Sequence, residues 1–273
     1  IWKSKKEKEG LNKELTYKNN KILDSISYAG KIQSAVLPTD EYIKSLLPNS
    51  FVLYSPKDKV SGDFYWMTRV DGKIIVAAVD CTGHGVPGAF MSMIGNVLIN
   101  TIVLERKITS PKQILEALNV DLRVALNQNQ ADDVFSCQDG MDLSICSINE
   151  QNNTLTYAGA MNPLYKVFDG EISVLDVNKR GVGGARYPKE VPFQEFDIKL
   201  EKGSTVYLLT DGYMDQFGGE KPEKYNLKRF KELLLINDKE NSETQLSNFN
   251  KSLDNWKGDQ GQTDDILIIG INF

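Results

Sequence analysis

Asp63 and Asp80 stand seventeen positions apart, and the chain between them reads as one β-hairpin that sets their carboxylates face to face. Asp63-Phe64-Tyr65-Trp66-Met67-Thr68-Arg69-Val70 runs into Asp71-Gly72 and returns as Lys73-Ile74-Ile75-Val76-Ala77-Ala78-Val79-Asp80. Asp-Gly between two β-prone runs marks a type I′ turn, whose two central residues need positive φ. A two-residue loop puts Val70 opposite Lys73, and the same register puts Asp63 opposite Asp80. Opposed side chains in such a ladder have Cβ atoms about 4.5–5.5 Å apart, where like charges destabilise. A divalent cation would offset the repulsion, because carboxylate oxygens suit Mg²⁺ and Mn²⁺. A slipped register or an open end splayed in water would relieve it without one.

Two further aspartates sit at strand ends. Ser204-Thr205-Val206-Tyr207-Leu208-Leu209-Thr210 is an apolar strand closed by Asp211-Gly212, and Thr263-Asp264-Asp265 opens Ile266-Leu267-Ile268-Ile269-Gly270-Ile271. Continuous apolar runs of this kind fit strands buried on both faces. Paired antiparallel, the end of one strand lies beside the start of the other, so Asp211 and Asp264 would meet at one sheet edge. A single aspartate at a strand end is usually a turn or cap residue; four of them are harder to read as turns.

These segments resemble a known family. Val60-Ser61-Gly62-Asp63-Phe64-Tyr65-Trp66, Asp80-Cys81-Thr82-Gly83-His84-Gly85-Val86-Pro87-Gly88-Ala89, Thr210-Asp211-Gly212-Tyr213-Met214-Asp215 and Thr263-Asp264-Asp265-Ile266 follow the motif order of the metal-dependent PPM (protein phosphatase 2C-like) serine/threonine phosphatases. Together with Tyr157-Ala158-Gly159-Ala160-Met161-Asn162-Pro163-Leu164-Tyr165, they are most similar to the bacterial SpoIIE/RsbU-like branch. The resemblance implies two Mn²⁺ or Mg²⁺ ions. Asp80 would bridge both, Asp63 and the Cys81 carbonyl would serve one, and Asp211 and Asp264 the other. It also implies a phosphorylated regulatory protein as substrate, such as an anti-sigma-factor antagonist of the STAS type. Such ions would lower the pKa of a bridging water and clamp an in-line phosphoryl displacement. No cysteine is followed six residues later by arginine, so the cradle of cysteine phosphatases is absent.

Around this set the readings stay open. Asp215, four residues after Asp211, either touches a third, weaker metal or only supports the others; Gly159-Ala160-Met161-Asn162 lacks the acidic residue that eukaryotic relatives carry there. His84, the sole histidine, is a general acid for the leaving alkoxide or a loop residue oriented by Gly83 and Gly85, and the second reading is preferred. Lys57 and Lys59 are placed to take a phosphate or to be solvated. Gly83-x-Gly85-x-x-Gly88 also matches a dinucleotide fingerprint, but its strand is a hairpin arm and its helix is followed by another helix. A catalytically weak dimeric signalling module is the remaining alternative; the loss of a metal aspartate would mark it, and all four are present.

The elements that must position these residues follow from pattern. Strands are expected near 51–56, 63–70, 73–80, 141–149, 154–159, 164–168, 171–175, 191–200 and 204–210, with a last strand from 266. Helices are expected at Gly88–Glu105, Pro111–Gln128, Tyr225–Ile236 and Glu243–Trp256. Hairpins alternating with paired helices suggest an α+β sandwich, two sheets flanked by helix pairs, which is also what the resemblance implies. Residues 129–140 read as a mobile loop. Before the domain at 37–273, residues 1–36 form a linker helix whose stripe of Leu11, Leu15, Ile22, Ile26, Ala29, Ile32 and Val36 suits a coiled-coil seam, interrupted at Lys18-Asn19. A parallel homodimer through that helix is expected. The chain begins at Ile1, so an upstream sensor region is expected too.

The 273 residues carry a net charge of -5, which argues against nucleic acid as the main partner. Three cysteines without a C-x-x-C pair suit reduced thiols and a cytoplasmic location. No uninterrupted apolar run approaches the ~20 residues of a membrane span, although Ile1-Trp2 and the lysines after it could border one on the cytoplasmic side.

Overall fold

The computed structural model describes residues 2–128, 137–184 and 191–273. Helix α1 (Trp2–Val36) leads into a short α2 (Asp40–Leu46), capped by the Thr39 hydroxyl, which accepts the Tyr42 N–H. Strand β1 (Ser50–Ser55) precedes the expected hairpin of β2 (Phe64–Val70) and β3 (Lys73–Cys81). Helix α3 (Gly85–Asn100) continues through a π-helical turn, Thr101–Glu105, to α4 (Pro111–Ala125). Ser110 caps α4, accepting the Gln113 N–H, and Pro111 suits a first turn that needs no donor. Then come β4 (Gly140–Asn149), β5 (Thr154–Ala160), β6 (Leu164–Phe168), β7 (Glu171–Leu175), β8 (Val182–Gly183), β9 (Phe196–Lys199) and β10 (Thr205–Leu209). One turn of helix, α5 (Gly212–Asp215), and a minimal hairpin, β11 (Phe217–Gly218) with β12 (Glu223–Lys224), lead to α6 (Asn226–Ile236), α7 (Ser242–Lys257) and β13 (Ile266–Asn272).

The strands form two antiparallel sheets, ordered β2-β3-β4-β5-β9, with β8 joining β4, and β1-β13-β10-β6-β7. Three apolar layers hold the sandwich together. Val76, Ala78, Cys146, Tyr157, Leu208 and Ile269 fill the space between the sheets. Phe64, Ile75, Val79, Ile99 and Leu118 join the first sheet to α3 and α4, and Tyr207, Tyr213, Phe230 and Phe249 join the second to α6 and α7. Strand β3 alternates between the two layers it faces, which is why it reads as an unbroken apolar run. The α-β-β-α sandwich expected from the sequence is the fold.

Some local departures have clear causes. The strand expected at 191–200 is only Phe196–Lys199. Pro192 has no N–H, and those of Phe193 and Gln194 go to the side chains of Glu116 and Asn178, so the ladder cannot start earlier. Helix α2 was not anticipated; its Ile43 and Leu46 close one end of the layer between the sheets. Residues 129–136 of the loop expected at 129–140 lie outside the described residues. Gly85–Glu105 is, at 21 residues, long and apolar enough to cross a membrane by length and composition, because the helix continues past each polar interruption. Its Met91, Ile99, Ile102 and Val103 are instead buried against the first sheet.

Candidate metal centre

Asp71 (φ 48) and Gly72 (φ 75) make the two-residue turn, and the ladder runs from Val70↔Lys73 to Phe64↔Val79. Asp63, just before β2, and Asp80, on β3, come next beyond the last pair, so the hairpin register is the expected one. Just before Asp63 the chain is packed backbone to backbone. A Cβ on Gly62 would lie 2.4 Å from the Gly83 carbonyl oxygen and 3.2 Å from that of Cys81. A Cβ on Gly88 would lie 2.2 Å from the same Gly83 oxygen and 2.9 Å from the Gly62 Cα. These glycines let the end of β3, the start of α3 and the Asp63 loop close on one another. That packing, in an antiparallel sheet, accounts for the Gly-x-Gly-x-x-Gly run without a dinucleotide.

The second pair of aspartates arrives from the other sheet. Strands β10 and β13 pair from Thr205↔Asn272 to Leu209↔Ile268, so the end of one meets the start of the other. A Cβ on Gly212 would sit 3.4 Å from the Asp264 Cβ, which fixes how close the Asp211 turn and Asp264 come. Each carboxylate senses its neighbours. Burial pushes the Asp63 carboxyl well above the ordinary range, and the charges of Asp265, Asp264 and Asp211 push it further. Asp80 is raised by burial, then by Asp63, Asp211 and Asp142. Asp211 is raised by burial, then by Asp215 and Asp264.

Several neighbours hold this set in place. The Thr210 hydroxyl donates to Asp63 Oδ2 at 2.6 Å. Asp265, only 3% exposed, accepts the Lys57 N–H and the Gly62 N–H at 2.7 Å each. Asp264 Oδ1 accepts the Asp265 N–H at 2.9 Å. Among the described residues no group of three or more His, Cys, Asp or Glu side chains is already placed to hold a metal ion. The donor chemistry nevertheless fits a hard cation. Four carboxylates of one sign converge from two sheets, and none forms an ion pair with a described lysine or arginine.

Asp142 was missed in the sequence. It lies directly opposite Asp80 on β4, across the strand edge from Asp63. Burial, and then the charge of Asp211, raises its carboxyl to about 6. A raised folded-state value adds stability at low pH that is lost as the pH climbs through about 6. In EDTA, Asp142→Asn should therefore match the native protein near pH 4 and exceed it by about 3 kcal/mol at pH 8. Urea unfolding at the two pH values checks this; equal stabilities at pH 8 would contradict it.

The remaining residues singled out in the sequence fall in different places. The Cys81 thiol is buried in the layer under α3, while its carbonyl oxygen faces Gly62. Asp215 is bound to Lys224 at 2.7 Å, which favours its supporting reading over a third metal. Lys57 and His84 meet: Lys57 Nζ lies 3.2 Å from His84 Nε2, and His84 Nδ1 lies 3.1 Å from Asp58 Oδ2. An Nδ1–H donated to Asp58 leaves Nε2 to accept from the ammonium, so the histidine orients Lys57. Accordingly, His84→Ala should cost less than about tenfold in kcat, against the ~10²–10⁴ of a general acid. A loss as large as that of a metal aspartate would restore the acid role. The Lys59 backbone packs under α1, where a Cβ on Gly30 would come within 2.3 Å of the Lys59 carbonyl oxygen.

Comparison with known proteins agrees with this architecture. The SiaA-PP2C domain of Pseudomonas aeruginosa superposes with a TM-score of 0.83 and 31% identity, over 93% of this chain and 98% of that one. The PP2C phosphatase domain of SpoIIE from Bacillus subtilis shares the fold, with a TM-score of 0.64 and 18% identity over 82% of this chain and 63% of that one. The two-sheet sandwich with aspartates gathered at its strand ends is thus the fold of a PP2C domain. Residues 70–273 match the family model for Stage II sporulation protein E, and the chain belongs to that family. It is 26% identical over 193 residues to the phosphoserine phosphatase RsbU of Bacillus subtilis (strain 168). That alignment covers 70% of this chain and 53% of RsbU, so the chain spans about half the length of that relative.

Proposed function

We propose that this chain hydrolyses phosphoserine or phosphothreonine on a regulatory protein, using two Mn²⁺ or Mg²⁺ ions held by Asp63, Asp80, Asp211, Asp264 and the Cys81 carbonyl. The observation that carries this is the convergence of four aspartates from two sheets: Thr210 binds Asp63, and Asp63 and Asp80 both sense the charges of Asp211 and Asp264. Bound there, the cations supply an activated water and neutralise charge on the transferring phosphoryl group. Asp80 stands between Asp63 and the Asp211 side, the position of a shared ligand. Thr210 fixes one oxygen of Asp63, and Asp265 fixes the loop that carries it. Lys57, held by His84, offers an ammonium to a phosphate oxygen.

The likeness to RsbU supports a phosphorylated antagonist of the STAS type as the substrate, with this domain as the output of a signalling protein. Incubating the chain with phosphorylated STAS proteins from the same source tests this. Release of phosphate is expected, and turnover of phosphopeptides with none of such proteins would remove the substrate assignment. The exposed apolar residues of α1, with Leu11 at 66%, Leu15 at 56% and Ile22 at 58%, support a parallel homodimer through that helix. Light scattering should give a dimer for the whole chain and a monomer once residues 1–25 are removed. A monomer at every concentration would reduce α1 to a linker. A catalytically weak signalling module would show dimerisation and partner binding without turnover.

A further inference from the structure

Gln33 is a polar residue on the helix whose apolar stripe is exposed, yet it is only 6% exposed itself. Its side-chain amide grips the backbone of Ser61 on both sides: Oε1 accepts the Ser61 N–H at 3.0 Å, and Nε2 donates to the Ser61 carbonyl at 2.6 Å. The same Nε2 donates to the Ser92 hydroxyl on α3 at 2.7 Å. Ser92 lies 3.3 Å from the Ser61 carbonyl and turns its hydroxyl to the Ala89 carbonyl at 2.9 Å. One helical turn earlier, Gly30 lets α1 descend onto the Lys59 carbonyl, a contact that any Cβ would block. The last turns of α1 are therefore seated on residues 59–61 and tied to α3 through a single amide.

The held segment leads straight to the metal centre. The Asp63 N–H donates to Ser61 Oγ at 3.0 Å, so Ser61 is fixed by Gln33 and in turn fixes Asp63. Between them, the Gly62 N–H is held by Asp265. Two anchors thus hold the loop, Gln33 from α1 and Asp265 from the residue before β13. We propose that Gln33 is a positioning residue for the metal centre: it sets the place of the Asp63 carboxylate through Ser61, and the end of α1 is thereby part of the machinery that binds the cation. This rests on the reading of Asp63 as a metal ligand. Loss of partners that orient metal ligands typically costs about 10–100-fold in affinity.

The test is Mn²⁺ binding by isothermal titration calorimetry on the full chain, without substrate, for the native protein, Gln33→Met and Ser92→Ala. Met keeps the volume of Gln33 and removes its hydrogen bonds, so it separates gripping from filling. Gln33→Met should weaken Mn²⁺ by about tenfold or more, while kcat at saturating metal returns to within about threefold of native. Ser92→Ala leaves the Ser61 contacts in place and should show a smaller loss; it also preserves the test should Gln33→Met fail to fold. Folded variants that both bind Mn²⁺ as tightly as the native protein would overturn the inference. Native protein that binds no Mn²⁺ would instead overturn the reading of the metal centre, which keeps the two failures distinct.

Discussion

Asp80→Asn is expected to lower kcat by about 10³-fold and to raise the melting temperature of the metal-free protein. Asp80 lies opposite Asp142 in the ladder with β4, just beyond the last pair of the ladder with β2, and it senses the charges of Asp63 and Asp211. As the proposed shared ligand it serves both cations, so its loss should disable both. The gain in stability has the opposite origin. Burial and the surrounding carboxylates disfavour the charged form of Asp80, so a neutral amide removes a repulsion. A relief of about 1 kcal/mol corresponds to roughly 2–4 °C in a chain of this size. Steady-state kinetics with saturating Mn²⁺ and thermal unfolding in EDTA read the two effects separately. Activity within tenfold of native would show that Asp80 is no shared ligand.

Asp265→Ala should act in reverse, losing stability as well as activity. Its carboxylate accepts from two backbone donors, the N–H groups of Lys57 and Gly62, in a site that water does not reach. Removing it leaves both donors without partners, at a cost of about 2–4 kcal/mol. The loop that carries Asp63 loses one of its two anchors at the same time. Unfolding free energy and the Mn²⁺ requirement should therefore worsen together in this variant, whereas in Asp80→Asn they diverge. A folded Asp265→Ala protein with native stability would show that the two N–H groups find water or other acceptors.

The contrast between these two residues shows what the sequence could reveal. Asp63 and Asp80 were legible as a pair because a two-residue Asp-Gly turn fixes every partner along the hairpin. Asp211 and Asp264 were legible because a strand's end must adjoin its antiparallel neighbour's start. Asp142 obeys the same strand-end rule but pairs with Asp80 across some sixty residues of helix and loop, and no local signal sets that register. Asp265 was hidden by its neighbour: Asp264-Asp265 sets two carboxylates side by side before β13, and only the Lys57 and Gly62 N–H groups bound to the second tell their roles apart. Gln33 was invisible for another reason. Helical periodicity sorts residues by apolarity, and a glutamine on the buried side of α1 counts as an interruption until its partner at Ser61 is known. Lys59, four residues from Asp63, could be read as a phosphate ligand or as solvated, and only the fold shows its backbone packed under Gly30 of α1.

The central claim is that four strand-end aspartates make a cation-dependent phosphatase, and one measurement addresses it most directly. Phosphate release from a phosphoserine protein is followed while Mn²⁺ or Mg²⁺ is titrated into EDTA-treated chain and then withdrawn with excess chelator. Turnover should be absent without metal, rise to saturation with it and vanish again on chelation. Turnover undiminished in EDTA, or none with either metal on any phosphoprotein tried, would contradict the account.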